Sequence, residues 1–284
     1  HQAFVGVGAF TSALVVSNAK LPFLVAILVS AATGALASVA LGMVALRLKG
    51  LYLALITLAY GQIAERVIFS VPALTGGGAG SPAPRPAGFD CLTTTGSFDP
   101  EAFTCQKSYV YLCYLFLALL LLIDWRLVRS KAGRAIFAIR ENEIAAASFG
   151  INVMSYKLMA FVVSGATAGI AGSLLAHWKT SVVSVDFDFK LALTFVLMTA
   201  VGGLGSRAGV VLASMFFAIF PLAANALTIY VLIIGPLLLL FTLAMYPGGM
   251  GQQLKPITDW LNGKPFSMKH DEGGVQSGGG GVRP

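Results

Sequence analysis

The densest group of charged side chains in this sequence runs from Ser130 to Ile151 and its approach. Arg126, Arg129, Lys131, Arg134 and Arg140 come first, Glu141 and Glu143 follow, and Gly150 closes the stretch. Residues of these types at these spacings perform no bond chemistry; they build a surface. Ala, Arg, Glu and Ile favour a helix, reaching from about Arg134 to Phe149, and Gly150 is a natural stop for it. Its small residues Ala145 and Ala146 share the segment with the charges, which suits docking against another protein. The charges alone would also fit a solvated loop that only sets orientation. The compact helix with small residues on one face favours docking.

Little else in the sequence could react. No Gly-x-x-x-x-Gly-Lys-Ser/Thr run occurs, so ATP hydrolysis has no phosphate loop here. His1, His177 and His270 are isolated, no Cys or His cluster has metal spacing, and no nucleophile–base pair emerges. An enzyme, a metal site and a bound cofactor are therefore not expected. His177 beside Trp178 reads as an interfacial anchor. What remains is a sparse polar set: Gln2, Thr57, Tyr60, Gln62, Thr75, Thr194, Thr199 and Asn225. A Thr in a helix often bonds its own backbone. With the glycine breaks, including Gly76 and Gly77 after Thr75, these groups would line a narrow path. Such a path suits a small uncharged or zwitterionic solute with an apolar side chain. Ion-coupled carriers place acidic groups or broken helices at the membrane midplane. Here only Glu65, Arg66 and Asp124 fall near spans, all toward their ends, so energy is expected from outside the chain.

The elements that must hold these groups are membrane helices. Of 284 residues 57% are hydrophobic and 11% charged, and the mean hydropathy is +0.82. A soluble domain carries about a quarter charged residues, and in lipid a helix satisfies its own backbone. The net charge of +7 is not a nucleic-acid signal, because the basic residues sit at span ends. Apolar segments are read at 3–19, 22–46, 51–71, 109–125, 157–177, 191–202, 210–228 and 229–246, and in 157–177 the small residues Ser164, Gly165, Ala168, Gly169 and Gly172 recur at a spacing that lets helices approach closely. Gly202, Gly203 and Gly205 are expected to break the chain after 191–202, so that this segment does not cross as one straight span. Only Lys20, Arg66, Arg85, Lys107, Lys179 and Lys190 fall outside or at outer span ends when the basic segment is placed inside, and the other Lys and Arg residues fall inside. That asymmetry sets the orientation. The transmembrane domain is read as 1–250, with an extracytoplasmic insert at 73–108 and a cytoplasmic loop at 126–156. Residues 251–284 form a cytoplasmic tail, expected to lack order from about 271. The chain opens with His1 directly into apolar sequence, which reads as an incomplete N-terminus. Cys91 and Cys105 share the insert and are candidates for a disulfide, whereas Cys113 lies within a span.

Four stretches carry a family resemblance. They are Gln2 to Phe10; Leu46-Arg47-Leu48-Lys49-Gly50-Leu51-Tyr52 through Ile63 with Thr75-Gly76-Gly77; Gly133-Arg134-Ala135 through Gly150-Ile151 with Tyr156 to Ala176; and Val201-Gly202-Gly203-Leu204-Gly205-Ser206 to Gly209. In this order they resemble the permease family of branched-chain amino-acid importers driven by ATP-binding-cassette subunits. The resemblance implies an all-α, polytopic transmembrane bundle with discontinuous helices and a cytoplasmic coupling helix. It implies ATPase subunits, a second permease subunit and an extracytoplasmic solute-binding protein as partners, in a bacterial or archaeal plasma membrane. The coupling set would be Gly133, Arg134, Arg140, Glu141, Glu143, Ala145, Ala146 and Gly150. Ala145 and Ala146 would enter an apolar groove of the ATPase, with the charged residues at its rim. Two departures stand out: the Cys-bearing insert is long for the family, and Tyr246-Pro247-Gly248-Gly249 replaces an expected basic end.

A permease for urea or short amides is the near alternative, and an ATP-independent carrier or channel the more distant one. A non-transporting scaffold would not need glycine breaks within its spans. The orientation predicts that a cysteine placed at Ser97 reacts with a membrane-impermeant thiol reagent in intact cells and one at Ser130 does not. Labelling at Ser130 alone would invert the topology.

Overall fold

The computed structural model describes residues 1–48, 51–75, 80–86, 100–203 and 207–223, with backbone only at 51, 54, 73–74, 100–107 and 220–223. Ten α-helices appear among them: α1 (Gln2–Ser17), α2 (Phe23–Ala45), α3 (Leu51–Ile63), α4 (Pro72–Thr75), α5 (Pro100–Arg129), α6 (Lys131–Glu141), α7 (Glu143–Ser148), α8 (Val153–Lys179), α9 (Phe189–Gly202) and α10 (Arg207–Ala223). The strands β1 (Ser81–Pro82) and β2 (Ser181–Val182) form one short antiparallel ladder. The protein is an all-helical membrane protein. Among the described residues, Phe23–Ala45, Ser108–Arg129 and Val153–Lys179 are long and apolar enough to cross a bilayer. Two units separate by contact, His1–Ala192 and Leu193–Pro284.

In the first unit α1, α2 and α8 pack against one another as the core. Lipid tails are as apolar as the helix surfaces, so helices associate where backbones can approach closely. Gly165, Gly169 and Gly172 of α8 are buried. A Cβ at Gly169 would meet the carbonyl of Ser30 on α2, and one at Gly172 the carbonyl of Val5 on α1. Ser30 Oγ donates to Gly8 O at 2.9 Å, tying α2 to α1 at the same level. The small residues picked from the sequence at 165, 169 and 172 thus form the seam.

A polar cap closes one end of this core. Ala83 N donates to Thr180 O at 2.9 Å, and His177 sits beneath, with no exposed surface. Its Nδ1 lies 2.7 Å from Pro84 O; a carbonyl only accepts, so Nδ1 carries the proton and neutral Nε2 accepts from Ser12 Oγ at 2.9 Å. Ser12 Oγ is 2.7 Å from Ser173 Oγ. His177 is therefore a buried structural group rather than the interfacial anchor expected from its neighbour Trp178. Phe10, Phe69 and Phe187 cluster beside it with ring centroids 5.1 to 5.8 Å apart.

Three boundaries differ from the sequence reading. The span expected at 51–71 is α3 followed by a π-turn at Ala64–Ile68, with Phe69 N bonded to Ala64 O at 2.8 Å. One extra residue in a turn rotates the remainder of the helix by roughly 100°, and Phe69 faces the aromatic cluster. The last part of the insert expected at 73–108 is helical, because α5 starts at Pro100, while its apolar span begins at Ser108. Pro100-Glu101 is a helix-start signal, with proline fixing φ and an acid in the first turn. Cys105 therefore lies in α5; Cys91 lies outside the described residues, as do Gly76, Gly77, Gly205, Asn225, the segment 229–246 and the tail 251–284. The segment expected as one helix from Arg134 to Phe149 is two, α6 and α7, divided at Asn142.

In the second unit, which takes α9 from Leu193 onward, α9 and α10 are separate helices, and Gly202 packs on the backbone of Val210.

Gly169→Leu drives a side chain into the Ser30 carbonyl. It should cost about 1–3 kcal/mol or more and lower the melting temperature of the purified protein in detergent. Ala171→Leu, on the exposed side of the same turn, should leave the melt near wild type. Equal effects would remove the seam as the basis of packing.

Candidate functional site

The surface built by Ser130 to Ile151 begins at a corner. Ser130 leaves α5 in extended conformation, accepts from Gly133 N at 3.2 Å and donates to Leu127 O at 2.6 Å. Gly133 is buried at this corner, where a Cβ would strike the carbonyls of Leu127 and Val128. From there α6 turns Ala135 and Ile139, one turn apart, inward and leaves Arg134 and Arg140 exposed.

Asn142 is the hinge of the surface. Its backbone is extended, at φ −156 and ψ 111, which ends α6. Its side-chain oxygen then accepts from Ile144 N and Ala145 N, both at 3.0 Å, and starts α7. One residue so closes one helix and caps the next. Glu143 reaches Lys157 at the start of α8 in an ion pair. Gly150, at φ +80, ends the pair of helices in a conformation that glycine adopts without strain. Ile151 N returns to Ala146 O at 3.2 Å.

The outward face differs in detail from the expectation. Ala146 is turned into the chain at 3% exposure, while Ile144 and Phe149 stand out at 82% and 85%. Successive residues on a helix point about 100° apart, so Ile144 and Ala146 cannot share one face. Ala145 is exposed, as are Arg134, Arg140 and Glu141; Glu143 is half-buried against Lys157. An open cleft of about 600 Å³ lies between α6, α7 and α8, with Ile136, Ile139, Asn142, Ile144 and Lys157 on its walls. Sequence reasoning overlooked Asn142, Ile144, Phe149 and Lys157. The signal for Asn142 was present: Asn ahead of Glu-Ile-Ala is a helix-start pattern.

The polar set divides in two. Gln2 meets α3 at Gly61. Gln2 Nε2 donates to Phe187 O at 3.2 Å. Gln2 is 3% exposed, and its Oε1 has no hydrogen-bond partner among the described residues. A Cβ at Gly61 would come 3.6 Å from Gln2 Nε2, and Thr57, Tyr60 and Gly61 share a face by their spacing. Tyr60 packs on Phe4 with centroids 5.9 Å apart. Directly after Gly61, Gln62 Nε2 lies 3.5 Å from Glu65 Oε2, one turn on. Thr75 and Thr199 satisfy their own helices: Thr75 Oγ1 donates to Val71 O at 3.0 Å, and Thr199 Oγ1 to Phe195 O at 3.0 Å and Val196 O at 2.9 Å. Gly202 is the last residue of α9, and Gly203 follows at φ +89.

The family described as "Branched-chain amino acid transport system / permease component" matches residues 1–245. Over 233 residues the chain is 33% identical to the high-affinity branched-chain amino acid transport system permease protein LivM of Salmonella typhimurium, covering 77% of this chain and 55% of that protein. Over 236 residues it is 32% identical to the protein of the same name from Escherichia coli, with the same coverage of 77% and 55%. A probable branched-chain amino acid transport permease of Methanocaldococcus jannaschii is 31% identical over 108 residues, 37% of this chain and 31% of its own. The chain spans about half the length of the first two of these curated relatives. No solved structure matches it.

Asn142→Ala removes the oxygen that caps α7, worth about 1 kcal/mol. Hydrogen exchange at the Ile144 and Ala145 amides should accelerate by about fivefold, and Asn142→Asp should keep the wild-type rate. Unchanged exchange in Asn142→Ala would take the hinge role from this residue.

Proposed function

The chain belongs to the permease family of branched-chain amino acid transport, and on that premise we propose that it is the membrane subunit of an ATP-driven importer in a bacterial or archaeal plasma membrane. ATPase subunits, a second permease subunit and an extracytoplasmic binding protein complete the machine. The solute is a branched-chain or similar apolar amino acid, delivered by the binding protein and released inward.

The observation that carries this reading is the pair α6–α7, a hinged platform with two large apolar side chains facing outward, which we place on the cytoplasmic side. Ile144 and Phe149, with Ala145 between them, fit an apolar groove on an ATPase subunit. Arg134, Arg140 and Glu141 form the charged rim, and Gly133 and Gly150 set the turns at each end. Ala146 and the Glu143–Lys157 ion pair hold the platform to α8. A carrier with its own ion coupling has no use for such a platform. Along the path, the buried oxygen of Gln2 is an acceptor for an α-ammonium group, beside Thr57 and Tyr60 on α3. Gln62 follows directly and reaches Glu65 one turn on, and the glycine break at Gly202 and Gly203 belongs to the second unit.

Rim charges contribute little singly, whereas a charge pressed into an apolar groove costs several kcal/mol. Ile144→Asp and Phe149→Asp should each lower ATP-driven leucine uptake more than about tenfold, with normal membrane insertion. Arg134→Ala should retain about a third or more. The measurement is uptake into proteoliposomes that hold the whole complex, with binding protein outside and ATP inside. Normal uptake by both Asp variants would remove the platform as the coupling element. Uptake with the ATPase left out would make the protein a self-sufficient carrier.

A further inference from the structure

The span in α5 differs from the other two long ones in having no residue of its apolar window buried, against about a third of the window in Phe23–Ala45 and Val153–Lys179. Its flank exposes Leu115, Leu119 and Leu122 in one helical stripe, and the stripe ends at Trp125, 44% exposed. The Arg129 guanidinium lies 4.0 Å from the centroid of the Trp125 ring. Arg126, one turn before Arg129, and Lys131, at the start of α6, are exposed beside them. Among the described residues none of these three cations is in an ion pair, and they outnumber Asp124, the one carboxylate in the last two turns of α5.

We propose that this end of α5 is a binding site for an anionic phospholipid. An apolar stripe that runs into an indole and then three cations repeats the order of groups along a lipid molecule: acyl chain, glycerol ester level, phosphodiester. Tryptophan prefers the ester level, where its ring stays apolar and its N–H can be solvated. Arginine matches two phosphate oxygens with its planar fork, and the stacking on Trp125 holds the Arg129 fork at the height of the headgroup. A zwitterionic headgroup offers the same phosphate with its charge cancelled by choline or ethanolamine, so the three cations select for net negative lipid. Arg134, one turn further along α6, is left to the rim of the cytoplasmic platform.

Native mass spectrometry tests the proposal on the full-length protein purified with its complex and exposed to equimolar phosphatidylglycerol and phosphatidylcholine in mixed micelles. Wild type should retain phosphatidylglycerol about fivefold over phosphatidylcholine, the ratio expected of roughly one effective surface cation. The triple variant Arg126→Gln, Arg129→Gln, Lys131→Gln should bring the ratio close to one. Should that variant fail to assemble, Arg129→Gln alone should lower the ratio about twofold, and Arg126→Lys with Arg129→Lys should keep most of it. Equal retention of both lipids by wild type would overturn the proposal, as it would if a protein partner covers this face. A ratio that survives the glutamine changes would place the lipid elsewhere. Loss of the preference in excess inorganic phosphate would make the site one for a free anion and not for lipid.

Discussion

The absence of side chains at three positions of α8 governs how the first unit packs. Gly165, Gly169 and Gly172 let α8 lie directly on the backbones of α2 and α1. Between helices in a bilayer the gain comes from van der Waals contact and from hydrogen bonds. Ridges of leucine would give no advantage over lipid, whereas backbone against backbone does. The same closeness brings Ser30 within reach of Gly8 O. The arrangement is selective, because each glycine meets its own partner carbonyl, and a shift along the helix would set a neighbouring side chain against backbone.

The packing has a second consequence. Helices this close leave no room for water at the ends of the seam, so any polar group there must find a partner in the chain. Ser12, Ser173, His177 and the carbonyl of Pro84 satisfy one another in a single chain of hydrogen bonds. An unpartnered hydroxyl in such surroundings costs about 1–3 kcal/mol, so the four groups hold or fail together. Through Pro84 the network draws the 80–86 segment onto the helix ends, where Arg85 also donates to Trp178 O at 3.3 Å. Gln2 Oε1 stands apart, since it is buried and no described residue meets its demand for a donor.

The membrane class, the glycine seam and the family were legible because each depends on residue type at short spacing. The small residues at 165, 169 and 172 fall on one face by the helical period alone. What escaped were features set by contacts distant in sequence. His177 looked interfacial beside Trp178, and only Ser12, 165 positions away, and Pro84 make it a buried group. The break at Asn142 was overlooked because the residues around it all favour helix, and one side-chain oxygen bonding forward at 3.0 Å decides the matter. Propensity averages over a window and cannot see a single cap. Of the polar candidates for the path, Thr75 and Thr199 turned to their own backbones, while Gln2 met α3 at Gly61. Both outcomes were open in the sequence, since a threonine in a helix can do either.

The break at Asn142 matters for how force would cross the membrane boundary. A single stiff helix from Arg134 to Phe149 would have passed any push to both of its ends, α5 and α8, alike. Two short helices with a hinge divide the load. α6 is fixed to α5 through the Ser130 corner, with Gly133 pressed on the last carbonyls of that helix. α7 is fixed to α8 through Ala146, the return bond from Ile151 and the Glu143–Lys157 ion pair. A displacement applied at Ile144 and Phe149 would reach α8 through α7 and through α6, which also packs on α8, and α8 is the helix whose glycines lock it to α1 and α2. In close-packed backbone contact there is little slack to absorb such a movement. Under the proposed coupling it would pass to α1, and so toward Gln2 at the junction with α3.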